Sequence, residues 1–258
     1  MKIVVLVKEV PDTYGERRLD PSTGLIDRAD GDQVIDEIDE RAAEIALQIK
    51  DRQKDTEVVL LAMGPDGVEK SLRKALGMGA DRAILITDPA LAASDALRTA
   101  HILAAALKAE RPDLIVMGNQ STDGRGGVVP AAVAELLALP LLGSLESVAV
   151  EGGSVSGTQV AETATKHLSA PLPAVVSITE KAAEARFPGF MGIMKAKGKP
   201  IDKQSVASLD VAAPEAHTVV MSTAQRPPRS AGIKIVDEGD GGRQLAAWLL
   251  ERNLVVRS

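Results

Sequence analysis

The 258-residue chain contains no cysteine. That excludes disulfides, thiolate metal sites and cysteine nucleophiles, and it is compatible with a cytoplasmic location. Aromatic residues make up only 2%, as two phenylalanines, one tyrosine and one tryptophan, so the core must be built from Ala, Val, Leu and Ile. No apolar run is long enough to span a bilayer. The opening Met1 to Lys8 lacks the longer apolar segment and cleavage site of a signal peptide. A net charge of -6, with no continuous basic stretch, argues against a general nucleic-acid binder. The catalytic signatures GxSxG and HExxH are missing, as are the Walker lysine motif and the dinucleotide GxGxxG. His101, His167 and His217 have no nucleophile motif around them. The chain offers binding groups without a catalytic set.

What is present reads as an α/β protein. Hydrophobic residues make up 45% and charged residues 26%, an ordinary globular balance. Ile3 to Val7 is a short apolar run of the kind that forms a buried parallel strand. Asp36 to Arg52 has helical periodicity. Glu57 to Met63 is a strand, and Pro65 and Asp66 open a helix running towards Gly77. Ala83 to Thr87 is a third strand, followed by a helix capped by Ser94. Asp113 to Met117 is a fourth strand, with a helix from about Val128 to Leu139. After Pro140 the alternation ends: residues 147–150 and 155–163 read as a hairpin and Pro173 to Thr179 as another strand, an antiparallel extension of the parallel sheet. The expected organisation is a nucleotide-binding α/β domain over 1–183, a loop over 184–199 and an arm over 200–258 with a late helix from Gly242 to Arg252.

The strongest site signal is the turn after Met117. Ligands of open parallel sheets settle beyond the carboxyl ends of strands. Gly124, Gly126 and Gly127 let backbone N–H groups approach an anion, and the following helix start adds its dipole. Ser121 and Thr122 can donate hydroxyl hydrogen bonds, Arg125 can neutralise phosphate, and Asp123 is suited to fixing the loop. Asp36, Glu37, Asp39 and Glu40 read as a charge cluster at a helix N-terminus. Both phenylalanines fall in Arg186 to Lys197, a stretch with a proline and two glycines that favour turns over regular helix. Exposed Phe and Met side chains there suggest a docking surface, or else an anchor that packs the loop onto its own core.

These motifs together resemble the β subunit of electron transfer flavoproteins. The resemblance is carried by Val7-Lys8 through Pro11-Asp12-Thr13, Asp36-Glu37-Ile38, Ala75 to Asp81, Gly118 to Gly124 and the Arg186-to-Lys197 segment. It implies a mostly parallel, Rossmann-like (adenine nucleotide α-hydrolase-like) sheet flanked by helices, with an antiparallel extension and a long C-terminal arm. It also implies an electron carrier subunit without catalytic residues of its own. The partner would be an α subunit holding most of the FAD, while this chain holds AMP, or a second FAD in a bifurcating type. Flavin dehydrogenases, including the acyl-CoA type of fatty acid oxidation, would be the donors, and a quinone oxidoreductase or other acceptor would follow. By position, the nucleotide stretch falls on Gln120, Ser121, Thr122, Asp123, Gly124, Arg125, Gly126, Gly127 and Val128, joined by Leu6, Asp36 and Met63. Thr13 lies where the family approaches the flavin. Phe187, Phe190, Met191, Ile193, Met194 and Lys195 would dock partners, with Lys197 and Lys199 adding to a basic rim. Many members carry Asp-Gly-Asp-Thr-Gly-Gln-Val-Gly-Pro in the nucleotide loop; here Asp123 to Pro130 is one residue shorter and gains an arginine. The alternative is a universal-stress-like ATP-binding protein, which shares the layout and the glycine-rich loop.

Overall fold

The computed structural model describes residues 1–15, 17–28, 31–209, 211, 215–224, 227 and 232–255. It divides into two units, Met1–Ser222 and Thr223–Ser258.

The first unit is a layered α/β structure. Strand β1 (Lys2–Leu6) is apolar from Ile3 onward because both of its faces are covered there. Ile3 and Val5 enter the core on one face, Val4 and Leu6 the core on the other. A two-stranded ribbon follows, β2 (Glu9–Pro11) with β3 (Gln33–Ile35). Helix α1 (Glu37–Arg52) begins at Asp36, whose side chain accepts the Ile38 N–H as an N-cap. Strand β4 (Glu57–Met63) pairs parallel with β1. Helix α2 (Val68–Met78) leads to β5 (Arg82–Ile86).

Helix α3 (Ala96–Glu110) carries the chain back across the sheet to β6 (Leu114–Gly118), which pairs with the other side of β1. Helix α4 (Val129–Leu137) follows. The order of the strands therefore reverses between β1 and β6. Helices α1 and α2 cover one face of the sheet there, and α3 and α4 the other. This switch point opens a crevice at the carboxyl ends of the two strands.

Strands β7 (Leu141–Glu151), β8 (Ser154–Val160) and β9 (Thr165–Pro171) form an antiparallel meander. Strand β10 (Ala174–Ile178) slots in parallel between β6 and β7. The chain then crosses back over the face carrying α1 and α2, through the short helix α5 (Phe190–Ala196), to the opposite edge strand β11 (Ile201–Gln204). The nine-stranded sheet runs β11-β5-β4-β1-β6-β10-β7-β8-β9. The second unit holds helix α6 (Gly241–Glu251), with the Arg252 guanidinium 4.8 Å from the centre of the Trp248 ring. Among the described residues no helix is long and apolar enough to cross a membrane.

Several boundaries differ from the sequence reading. Helix α2 runs past Gly77 and stops at Gly79, whose φ of 141° lies outside the range of residues with side chains. Asp95 caps α3, accepting the Arg98 N–H, while Ser94 donates its hydroxyl to the Leu91 carbonyl. The Phe-containing segment, expected as a loop, includes α5.

Candidate functional site

Two buried carboxylates at the start of α1 assemble the crevice between β1 and β6. One oxygen of the Asp39 carboxylate accepts the Lys8 N–H at 2.9 Å, beyond the end of β1. Its other oxygen accepts the Gly118 N–H at 2.9 Å, at the end of β6. A Cβ on Gly118 would lie 2.8 Å from that oxygen, so glycine is required for the carboxylate to reach the backbone. Burial, and then the neighbouring charge of Asp36, push the Asp39 carboxyl up to about 8, against the two N–H donors and Lys8. Asp36 reaches further along the loop. Beyond its capping bond it accepts the Thr122 N–H at 2.6 Å and the Thr122 hydroxyl at 2.7 Å.

The loop after β6 is thus fixed at its base. Asp123 binds the Lys8 ammonium at 2.7 Å and the Arg28 guanidinium at 2.6 Å. Burial opposes its charge, but Lys8, Ser121 and Arg28 outweigh it and hold its carboxyl well below the usual carboxylate range. Beyond Asp123 the chain turns outward. Arg125 (φ 51°) and Gly127 (φ 65°) take the left-handed conformation, and Gly124 to Val128 are exposed. Val128, the N-cap of α4, makes no side-chain capping bond, so it offers the first amides of that helix no side-chain acceptor. The Asn119 side-chain oxygen is buried without a hydrogen-bond partner. Leu6 and Met63, at the ends of neighbouring β1 and β4, complete the wall: Leu6 is buried and Met63 half-buried in the α3/α4 core. An uncapped helix start, an exposed arginine, open glycines and an orphaned amide oxygen suit the phosphate and polar edges of a nucleotide.

The crossover from β10 to β11 carries a second candidate surface. Arg186 pins its start to α1, with guanidinium bonds of 2.7 and 3.0 Å to Glu44 and 2.8 Å to Asp51. Its end is pinned to α2, where Arg73 donates to the Ala196 and Lys199 carbonyls. Between these anchors, α5 lies against α2 so closely that a Cβ on Gly192 would stand 2.4 Å from the Gly77 carbonyl oxygen. The outward side is apolar: Phe187 is 96% exposed and Phe190 77%, and Met191, Ile193 and Met194 are also exposed. Of these residues only Ala196 of α5 enters the core. Lys195 and Lys197 are exposed beside this patch.

The electron transfer flavoprotein domain model matches residues 23–209. The electron transfer flavoprotein subunit beta of Mycobacterium leprae is 43% identical over 98% of this chain and 99% of its own length. The Syntrophomonas wolfei subunit beta is 36% identical over 96% of each. The chain belongs to the electron transfer flavoprotein β-subunit family. An electron-transfer role and a flavin go with that family, and a β subunit implies a partner subunit. A subunit of the caffeyl-CoA reductase–Etf complex of Acetobacterium woodii is 33% identical over 78% of this chain and 77% of its own. The match selects the flavoprotein reading over the stress-protein alternative.

In this electron transfer flavoprotein subunit, Asp36 meets the loop after β6 at Thr122, Leu6 and Met63 lie at the ends of the neighbouring strands β1 and β4, and the apolar residues from Phe187 to Met194 are exposed on the crossover. Two roles are reassigned. The Thr122 hydroxyl donates to Asp36, while Ser121 accepts from Lys8 at 3.2 Å and its hydroxyl supports the Asp123 carboxylate. Lys199 does not extend the basic rim: its ammonium caps α2 by donating to the Leu76 and Ala80 carbonyls. Thr13 is exposed on the turn leaving β2. The sequence reading missed Asp39 as a tie between strands, and Lys8, Arg17 and Arg28 as supports of the loop. The three-residue spacing of Asp36 and Asp39 at a helix start was the available signal for the first.

Proposed function

We propose that this chain is the nucleotide-holding and partner-docking subunit of a cytoplasmic, heterodimeric electron transfer flavoprotein. In this reading it receives electrons from flavin dehydrogenases, including the acyl-CoA type of fatty acid oxidation, and passes them on to a quinone oxidoreductase or other acceptor. The redox chemistry is supplied by FAD held mainly by the α subunit. The chain's own residues bind and orient. Gly124 to Val128 with Arg125 would hold the phosphate of AMP, or of a second FAD, and the buried Asp36 and Asp39 fix that loop to the strand ends. Thr13 would approach the flavin, and the arm beyond residue 200 would contact the α subunit. The observation that carries the docking role is an apolar surface fixed at both ends yet uncovered in its middle, with cations beside it. The relative named for a caffeyl-CoA reductase–Etf complex supports a subunit that assembles with a reductase.

Co-expression with the partner subunit, followed by the absorbance spectrum and nucleotide analysis of the complex, tests this reading. One FAD and one AMP per heterodimer is the expected result. Two FAD and no AMP would assign the second nucleotide site to a bifurcating type, and a colourless single chain holding ATP would overturn the reading. Phe190→Ala should slow transfer from a dehydrogenase by about tenfold at subsaturating partner, the size of a lost interface anchor, with FAD content intact. Unchanged rates would remove Phe190 from the docking surface.

A further inference from the structure

We propose that Arg17 and Arg28 are positioning residues that couple the nucleotide loop to the turn carrying Thr13. Both lie on the excursion between β2 and β3, and both reach back across the same gap. The Arg17 guanidinium donates to the Pro11 carbonyl at 3.2 and 2.7 Å from Nε and Nη2. Its Nη1 donates to the Thr122 carbonyl, and Nη2 also donates, at 3.0 Å, to the Thr122 hydroxyl oxygen. The Arg28 guanidinium donates to the Glu9 carbonyl at 3.1 Å and to Asp123 at 2.6 Å. Two planar forks therefore join two positions of β2, Glu9 and Pro11, to two adjacent positions of the loop, Thr122 and Asp123. A guanidinium holds donors at fixed separation, so each fork sets a distance between the two segments rather than merely neutralising charge.

The turn beyond Pro11 is stiff in itself. The Asp12 N–H bonds the Asp32 carbonyl at 2.9 Å, and the Asp12 carboxylate accepts the Tyr14 N–H at 3.0 Å. Its side chains contribute little packing: Tyr14 is 99% exposed and Thr13 is exposed. Lys8 and Asp36 hold the base of the loop to the end of β1 and the start of α1, and among the described residues the arginine forks alone reach from the loop to Glu9 and Pro11 at the foot of this turn. Ordering either segment orders the other, and such coupling is reciprocal between ligands bound at the two places. The inference rests on the reading that 120–128 holds the nucleotide and that Thr13 faces the flavin.

The test uses the intact heterodimer and measures the FAD dissociation constant with and without added AMP, by flavin fluorescence. In the wild type, AMP should tighten FAD by about fivefold or more, the lower range of ordinary allosteric coupling. In Arg17→Met the factor should fall, and in the Arg17→Met/Arg28→Met double variant it should come within about twofold of unity. Arg17→Lys, which keeps the charge but loses the fork, should behave as Arg17→Met; it also serves where the methionine variant folds poorly. A general loss of stability would weaken both ligands without changing the factor between them. Coupling undiminished in the double variant, or a wild type that binds AMP with no effect on FAD, overturns the inference and leaves the nucleotide reading standing. A wild type that binds no AMP, or whose flavin spectrum is unmoved by Thr13→Ala, overturns that reading and the inference with it.

Discussion

At the residue scale, Asp39 gives the protein a pH signature. Its carboxyl sits at about 8, against an ordinary 3.8, so the folded state holds a proton that the unfolded chain has already released over that window. The folded state then binds more protons than the unfolded state, and the slope of stability with pH is negative. The contribution is complete below about pH 4 and is lost as pH rises through about 8. Asp39→Asn removes the titration. It keeps a carbonyl for one of the two N–H donors and sets an amide against the other, costing about 1 kcal/mol where the wild type is protonated. The stability advantage of wild type over variant should therefore shrink from pH 5 to pH 9 in urea unfolding. A constant difference across that range would show that Asp39 is ionised in the folded protein. The sequence displayed both carboxylates at the helix start; Asp36 caps the helix there, but Asp39 holds a proton below about pH 8 and does not serve the dipole. Their partners were not legible, because Lys8, Gly118 and Thr122 come within reach only once β1 and β6 lie side by side.

At the element scale, α5 shows what local propensity leaves out. Two glycines and a proline in the segment argue for a turn, and in isolation they are poor helix formers. The helix forms because Gly192 lets its backbone approach the Gly77 carbonyl, and Gly77 in turn meets Pro188 and Ile193. Gly77 reads as a helix stop in the sequence, yet it is a contact point inside α2. Gly192→Ala places a methyl group 2.4 Å from a carbonyl oxygen with no flexible side chain to yield. The expected cost is about 1–3 kcal/mol, as for an overpacked contact, together with slower transfer from a dehydrogenase because the apolar side chains are tilted. A melting temperature and a transfer rate equal to wild type would show that α5 is not held by this contact. The central strands were legible because burial on both faces writes a continuous apolar run. Strand β9 was not: Thr165 to Pro171 is mostly exposed and carries Lys166, His167 and Ser169, so it shows no such run.

At the scale of the whole molecule, the sheet's topology accounts for the position of the docking surface. Strand β10 ends between β6 and β7, while β11 must pair with β5 at the opposite edge, so the connection crosses over α1 and α2. Its inner side packs on them through Arg186 and Ala196, and on its outer side Phe187, Phe190 and Met191 are exposed. The second unit is built on a different principle. Helix α6 buries only Gly241, and Leu245 and Leu254 are exposed, so the described residues of this unit form no core that could offset its ordering entropy. The first unit, by contrast, fills both faces of its sheet. A chain ending at Ser222 should therefore melt within about 3 °C of the full-length chain when each is measured alone, since little buried area is removed. The same truncation should reduce partner-subunit recovery on co-purification by about tenfold or more, because a segment with no core among its described residues is suited to ordering on a partner. Full recovery with the truncated chain would assign subunit association to the first unit alone, and an unfolded truncation product would make Thr223 to Ser258 part of the fold.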